Sequence, residues 1–349
     1  MGCGNAGCCV AQPHRMGAGQ GSFGEDAGAA SSSTSDNPLM LSEEEFIARF
    51  ELGRILGQGS FSVVRLALDK ATQQEVAMKI VDTTRFTNAA LVVEREIAAL
   101  CAITHPSCAR LIALCTTRHA AFTVTELARG ELMLDWLRRK GRCTEAEAAV
   151  VLKGITQGVA HMHERNVVHR DLKLENLILD ERRVKEGAPD LMVKIIDFGF
   201  SKVVLDGDDS ALQTVCGSPQ YVAPEILMKA SPYTKAVDLW SLGVILYMLL
   251  SGQAPFGECC AKNAGAIRSN RSISHSFHAD LASIADGTHD MLLFRKIVTA
   301  QYAMEGNLWE SVSSEAKDLV RNLLQIDVEA RYTTSQVLES AFIRRHCEP

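Results

Sequence analysis

His169-Arg170-Asp171-Leu172-Lys173-Leu174-Glu175-Asn176, followed by Asp197-Phe198-Gly199, is the stretch on which the reading of this chain turns. The two segments gather a carboxylate able to take a proton, a cation two residues after it, and two side chains with hard oxygen donors of the kind Mg2+ prefers, Asn176 and Asp197. Each short motif alone would be weak. Upstream, Val76-Ala77-Met78-Lys79-Ile80 alternates as a strand does and sets Lys79 on one face. Downstream lies Ala223-Pro224-Glu225. Coincidence does not produce that order and spacing.

Nearer the start, Gly57-Gln58-Gly59-Ser60-Phe61-Ser62 sits between apolar Ile55-Leu56 and Val63-Val64-Arg65-Leu66. That context predicts a strand-turn-strand hairpin whose glycines let backbone N–H groups approach phosphate. A complete G-x-G-x-x-G occurs earlier, Gly19-Gln20-Gly21-Ser22-Phe23-Gly24, but no apolar strand leads into it and a Ser run follows, so it is a decoy. A helix is predicted from an Asn88 cap through Leu100. On it Glu94 and Glu96 lie about 200° apart, so only one can face Lys79. Glu96 is chosen from its distance to His105-Pro106, which leaves Glu94 to solvent, Arg95 or Arg65.

In this order the motifs resemble those of eukaryotic serine/threonine protein kinases, from about Phe50 to His346. The resemblance implies an α+β fold of two lobes. A small antiparallel β-sheet lobe with one main helix, 42–128, would be followed by a larger, mainly helical lobe, 129–349. It implies ATP and Mg2+ as cofactors, bound through Gly57, Gln58, Gly59, Ser60, Phe61, Ser62, Val64, Ala77, Lys79, Glu96, Glu131, Asn176 and Asp197. Ser62 departs from the third glycine of the family pattern. Lys79 would hold the α- and β-phosphates and pair with Glu96. Asp171 would accept the proton of the substrate hydroxyl, Lys173 would balance charge on the γ-phosphoryl, and Asn176 and Asp197 would ligate the metal. Lys173 marks the serine/threonine branch. Glu131 suits the ribose hydroxyls and, with Glu175, an arginine three residues before the phosphoacceptor.

Residues 122–131 resemble the hinge, the linker that offers backbone groups to adenine, and leave two alignments open. Aligned on Gly130-Glu131, Val124 lines the back of the pocket; aligned on Glu126, Thr125 does and the linker is one residue short. Arg170, before the base, goes with control by phosphorylation at Thr214, the phosphate being held by Arg170 and Lys202. Ser218 would hydrogen-bond Asp171 and Lys173. Glu225 with Arg331 matches a buried ion pair, and Asp238 would anchor the catalytic-loop backbone; these three are structural supports.

Residues 217–225 and 232–243 look most like the calcium/calmodulin-dependent group. No D-x-D-x-D-G loop occurs and no further helix follows the last lobe helix, so calcium control in cis is not expected. Residues 257–290 are polar and rich in Ser and His, which predicts a flexible insertion, with Arg271 three residues before Ser274 as a candidate autophosphorylation site.

Composition narrows the rest. With 349 residues and a net charge of −6, signs interspersed, the chain has no nucleic-acid footprint. Eleven irregularly spaced Cys read as reduced thiols of a cytoplasmic protein. The apolar run Leu239–Leu250 is too short to span a bilayer and predicts a buried helix ending at Ser251-Gly252. Residues 1–41 are rich in Gly, Ala and Ser and predict a disordered tail, after which Ser42-Glu43-Glu44-Glu45 forms a capping box for a short helix through Phe50. Met1-Gly2-Cys3 makes Gly2 a candidate for myristoylation and Cys3, Cys8 or Cys9 for palmitoylation, although Ala6 stands where Ser or Thr is preferred. One myristoyl chain binds membranes with K of about 10⁴ M⁻¹, so stable attachment needs the second acyl group. The expected partners are protein substrates and an upstream activating kinase, acting on a monomeric chain.

Overall fold

Ser42 caps the first helix as its sequence predicts. The structure, a computed structural model, describes residues 39–59, 62–84, 89–180, 191–199, 201–203, 218–228, 234–257 and 288–347. Ser42 Oγ accepts the Glu45 N–H at 3.3 Å, and the Glu45 carboxylate accepts the Ser42 N–H at 2.9 Å. The helix, α1 (Glu43–Arg49), passes at Phe50 directly into a strand. Its one buried side chain, Phe46, packs on Phe50 and Phe122, with ring centroids 5.0 and 5.2 Å away.

Six strands form the first sheet: β1 (Leu39–Met40), β2 (Phe50–Gln58), β3 (Ser62–Asp69), β4 (Gln74–Asp82), β5 (Leu111–Thr116) and β6 (Ala120–Glu126), in the order β1-β5-β6-β4-β3-β2. All pairings are antiparallel except β1 with β5, where Leu39 and Met40 oppose Ala113 and Leu114. Leu41 N–H also bonds the Leu114 carbonyl, so the expected tail 1–41 overlaps the sheet by three residues. Two residues are too few to show alternation, which is why the sequence hid this strand. The hairpin β2–β3 is bulged between Leu52 and Gly57, and Arg65 donates to the Gly53 carbonyl there at 2.6 and 3.0 Å. Arg65 is thus a patch on the bulge and not the partner of Glu94, whose side chain is exposed. Helix α2 (Ala89–Ala102) follows; its expected cap, Asn88, lies outside the described residues.

A second sheet is small: β7 (Glu131–Leu132), β9 (Leu177–Asp180) and β10 (Met192–Ile195), in the order β10-β9-β7. Between its strands come α3 (Met133–Lys140), α4 (Glu145–Glu164) and β8 (Val167–Val168), the last paired with β11 (Lys202–Val203). Helices α5 (Pro224–Leu227), α6 (Ala236–Ser251), α7 (Thr288–Val298), α8 (Asn307–Glu310), α9 (Ser314–Leu323), α10 (Thr334–Leu338) and α11 (Ala341–Cys347) complete the described chain. The predicted apolar helix is α6. Every side chain from Val237 to Ser251 is buried, and no helix among the described residues is long and apolar enough to cross a membrane. Helix α6 ends at Gly252 with φ +72°. A Cβ at Gly252 would stand 2.2 Å from the carbonyl oxygen of Gly141, itself the cap of α3 at φ +89°. The ends of α3 and α6 therefore meet backbone to backbone, joined also by Cys143 N–H to Leu249 O at 2.8 Å.

Residues 1–38, residues 258–287 with Ser274, and Thr214, on which the expected tail, insertion and phosphorylation site fall, lie outside the described residues. The end of the expected insertion is ordered into helix, since α7 begins at Thr288.

Candidate active site

Strand register decides which side chains share the cleft. Directly opposed residues of an antiparallel sheet project to the same face, and neighbours along a strand to opposite faces. Val64 opposes Lys79 and Leu66 opposes Ala77, while on the other side Lys79 opposes Thr123 and Ala77 opposes Thr125. Val64, Ala77, Lys79 and Thr125 therefore share one face. Val124 opposes Met78 on the other, fully buried in the cluster built on Phe46 and Phe50. Thr125, not Val124, lines the back of the pocket, and the hinge is the shorter of the two alternatives.

Lys79 Nζ reaches Glu96 Oε1 at 2.6 Å and Asp197 Oδ1 at 3.0 Å. Glu96, on α2, is 6 % exposed, so the choice of Glu96 over Glu94 holds. Burial would discourage the Lys79 cation, but the two carboxylates outweigh it and raise the pKa. For Asp197 burial pulls upward; the Lys79 ammonium and the Gly199 N–H win and hold the carboxyl at about 2, so it is ionised at neutral pH. At Gly199 the turn passes close to this ion pair: a Cβ there would stand 2.9 Å from Lys79 Nζ. Phe198, 2 % exposed, packs its ring 5.4 Å from that of His169, which fixes the turn carrying Asp197.

Asp171 is 4 % exposed and fully engaged. Its Oδ2 lies 2.7 Å from Lys173 Nζ, and its Oδ1 accepts the Ser218 N–H at 2.9 Å and the Ser218 hydroxyl at 3.2 Å. Lys173 in turn donates to Ser218 Oγ at 2.8 Å. Asn176 Nδ2 donates to the Asp171 carbonyl at 2.8 Å and to Oδ2 at 3.2 Å, which leaves its amide oxygen for a cation. The expected bonds from Ser218 to Asp171 and Lys173 are all present.

The loop is strained and visibly braced. Arg170 has φ +67°, a conformation costly for a non-glycine residue. The fully buried Asp238 accepts the N–H of His169 at 3.0 Å and of Arg170 at 2.9 Å, and His163 Nε2 lies 2.8 Å from it. Burial would raise the Asp238 pKa, but these partners lower it. At the lobe base Arg331 grips Glu225 with two parallel contacts of 2.7 and 3.0 Å, donates to the carbonyls of Gln325 and Ala236, and lies 5.2 Å over the Trp240 ring.

Glu131, on β7, meets Arg139 at 2.8 Å. Gly57, Gln58, Gly59 and Ser62 form the ends of the β2–β3 hairpin, Gly59 N–H bonding Ser62 O at 2.8 Å; Ser60 and Phe61 lie outside the described residues, as do Thr214, the Lys202 side chain, Gly2 and Cys3. A pair beside the linker has no counterpart in the sequence motifs. Lys194 on β10 reaches Glu126 at 2.7 Å, and the only trace in sequence is a lysine inside the apolar run Val193–Ile196. Among the described cysteines, burial pushes Cys108 and Cys143 up to about 12, so these thiols are protonated and inert.

Two lobes around a cleft, with these groups converging on it, define the protein-kinase fold. The profile of the protein kinase domain matches residues 50–343, and the chain belongs to the protein kinase family. It is 34 % identical over 296 residues to human serine/threonine-protein kinase H1, covering 85 % of this chain and 61 % of that protein. It is 35 % identical over 301 residues to a probable myosin light chain kinase of Dictyostelium discoideum, covering 85 % and 84 %. To calcium/calmodulin-dependent protein kinase type 1 of Macrobrachium nipponense it is 34 % identical over 327 residues, covering 93 % and 82 %. The chain thus spans less than two thirds of the kinase H1 relative.

Proposed function

We propose that this chain is a serine/threonine protein kinase that transfers the γ-phosphate of ATP, with Mg2+, to protein hydroxyls, preferring an arginine three residues before the acceptor. The observation that carries this is the cluster of Asp171, Lys173, Asn176 and Ser218, in which one buried carboxylate faces a cation and an amide. Asp171 takes the proton of the incoming hydroxyl, a poor nucleophile until that proton has somewhere to go. Lys173 offsets charge on the transferring group. Lys79, fixed by Glu96, holds the nucleotide phosphates. The Asn176 amide oxygen and the Asp197 carboxylate fit Mg2+, hard oxygens with one ionised; when bound, the ion neutralises developing charge on the phosphates. The names of the relatives point the same way.

Regulation belongs to the same reading: phosphate on Thr214, added by an upstream kinase and held by Arg170 and Lys202, orders the substrate-facing segment. Glu131 and Glu175 receive the substrate arginine. Acylation at Gly2 and Cys3 places the otherwise cytoplasmic chain at membranes.

The test is Mg2+-ATP transfer to a basic peptide with that arginine, wild type beside Asp171→Asn, with intact mass recorded. Transfer that falls about 10²- to 10⁴-fold in the variant supports the assignment of the base. No transfer by wild type carrying phosphate on Thr214 overturns the enzyme and leaves a kinase-fold scaffold.

A further inference from the structure

The linker between the two sheets, from Glu126 at the end of β6 to Glu131 at the start of β7, is fastened at both ends to the three-stranded sheet. At its far end Glu131 pairs with Leu179 of β9. Gly130, at φ +125°, crosses so close that a Cβ would stand 2.1 Å from the Leu179 carbonyl oxygen. At its near end the fastening is a side-chain pair. Lys194 of β10, opposite Ile178 of β9, reaches Glu126 Oε1 at 2.7 Å and lies 3.5 Å from the Cys108 carbonyl oxygen. The same Glu126 oxygen accepts the Arg110 N–H at 2.9 Å, and Glu126 N–H donates to the Arg110 carbonyl at 2.9 Å. Both side chains are sheltered, 21 % and 32 % exposed. A sheltered pair with a second, backbone-anchored contact is held more firmly than an exposed one.

We propose that Lys194 is a positioning residue for the nucleotide: by holding Glu126 it sets the linker backbone where adenine docks, without touching the ligand. This rests on the kinase reading above. The linker is a residue short, so it has little slack, and its near end has no glycine-tight crossing like the one at Gly130. Without Lys194, Glu126 keeps its backbone pairing with Val76 of β4 and its bond to Arg110, but the linker beyond it loses its tie to the three-stranded sheet. That freer backbone must be ordered again on binding, which lowers affinity. Lys194 also stands three residues before Asp197. An effect routed through Asp197 would require the metal, whereas one routed through the linker would not.

Adenosine, which carries no phosphate and needs no metal, separates the two. Its dissociation constant and that of Mg2+-ATP are measured on the full chain for wild type, Lys194→Met, Lys194→Arg and Glu126→Gln, with thermal unfolding recorded alongside. Lys194→Met is expected to weaken adenosine and Mg2+-ATP by the same factor, about three- to tenfold. Lys194→Arg keeps the charge and restores both. In phosphate transfer the loss falls on KM for ATP rather than on kcat. Should Lys194→Met fail to fold, Glu126→Gln, which keeps shape and loses charge, gives the same reading. Unchanged adenosine affinity in a folded variant, loss for Mg2+-ATP alone, or tighter binding would each overturn the proposal. Wild type carrying phosphate on Thr214 that binds adenosine yet transfers no phosphate defeats the transfer activity but not the nucleotide site on which this proposal rests; wild type that binds no adenosine overturns both.

Discussion

At Asp238 a single carboxylate braces a strained loop. Its pKa is lowered in the folded chain, and it contributes stability only while ionised. For a depressed acid that contribution is present above the unfolded value, about 3.9, and is lost as pH falls through the lower native one. Urea unfolding of wild type should therefore weaken below about pH 4, and Asp238→Asn should be less stable at neutral pH and flatter in that acid range. Lys79→Met should cost ATP affinity and transfer together, because it removes the partner of both Glu96 and Asp197; a nucleotide titration checks this. Most of these residues were legible in the sequence because the chemistry needs particular atoms at short spacing. Lys79, Asp171, Lys173, Asn176 and Asp197 follow from their motifs. The side chain lining the back of the pocket did not, because Val124 and Thr125 differ by one step of strand alternation and only the pairing with β4 says which faces the cleft. Lys194 escaped for a related reason: its partner lies sixty-eight residues away, and no local pattern encodes the contact.

Elements read well where their ends are chemically marked. The capping box at Ser42 and the left-handed glycine after Ser251 were both visible, since each satisfies backbone groups that a helix end leaves unpaired. Strand β1 carries no such mark. Replacing Ser42 with Ala should cost about 1 kcal/mol, detectable as a lower urea midpoint with an unchanged slope. The linker is less forgiving. Gly130→Ala adds a methyl where 2.1 Å is available, at a φ that side chains rarely adopt. It should displace β7 from β9 and lower ATP affinity more than Lys194→Met does, which the same titration measures.

For the molecule as a whole, the tie between Glu225 and Arg331 matters because it joins the segment below the active site to a loop more than a hundred residues on. Arg331→Met leaves a buried carboxylate unpaired and should cost about 3–5 kcal/mol, a large share of a typical 5–15 kcal/mol of stability, read from chemical denaturation. Such long-range pairs are recognised from sequence only by resemblance, not by pattern. The meeting of Gly141 with Gly252 shows how sharply a fold can restrict what its sequence is free to vary. There the ends of two helices touch with no room for a single carbon, so a saturation library selected for folded protein should tolerate almost anything at the exposed face of α3 yet return only glycine at 252. That intolerance would reach even alanine, the mildest change available, and it would arise at a place with no part in chemistry.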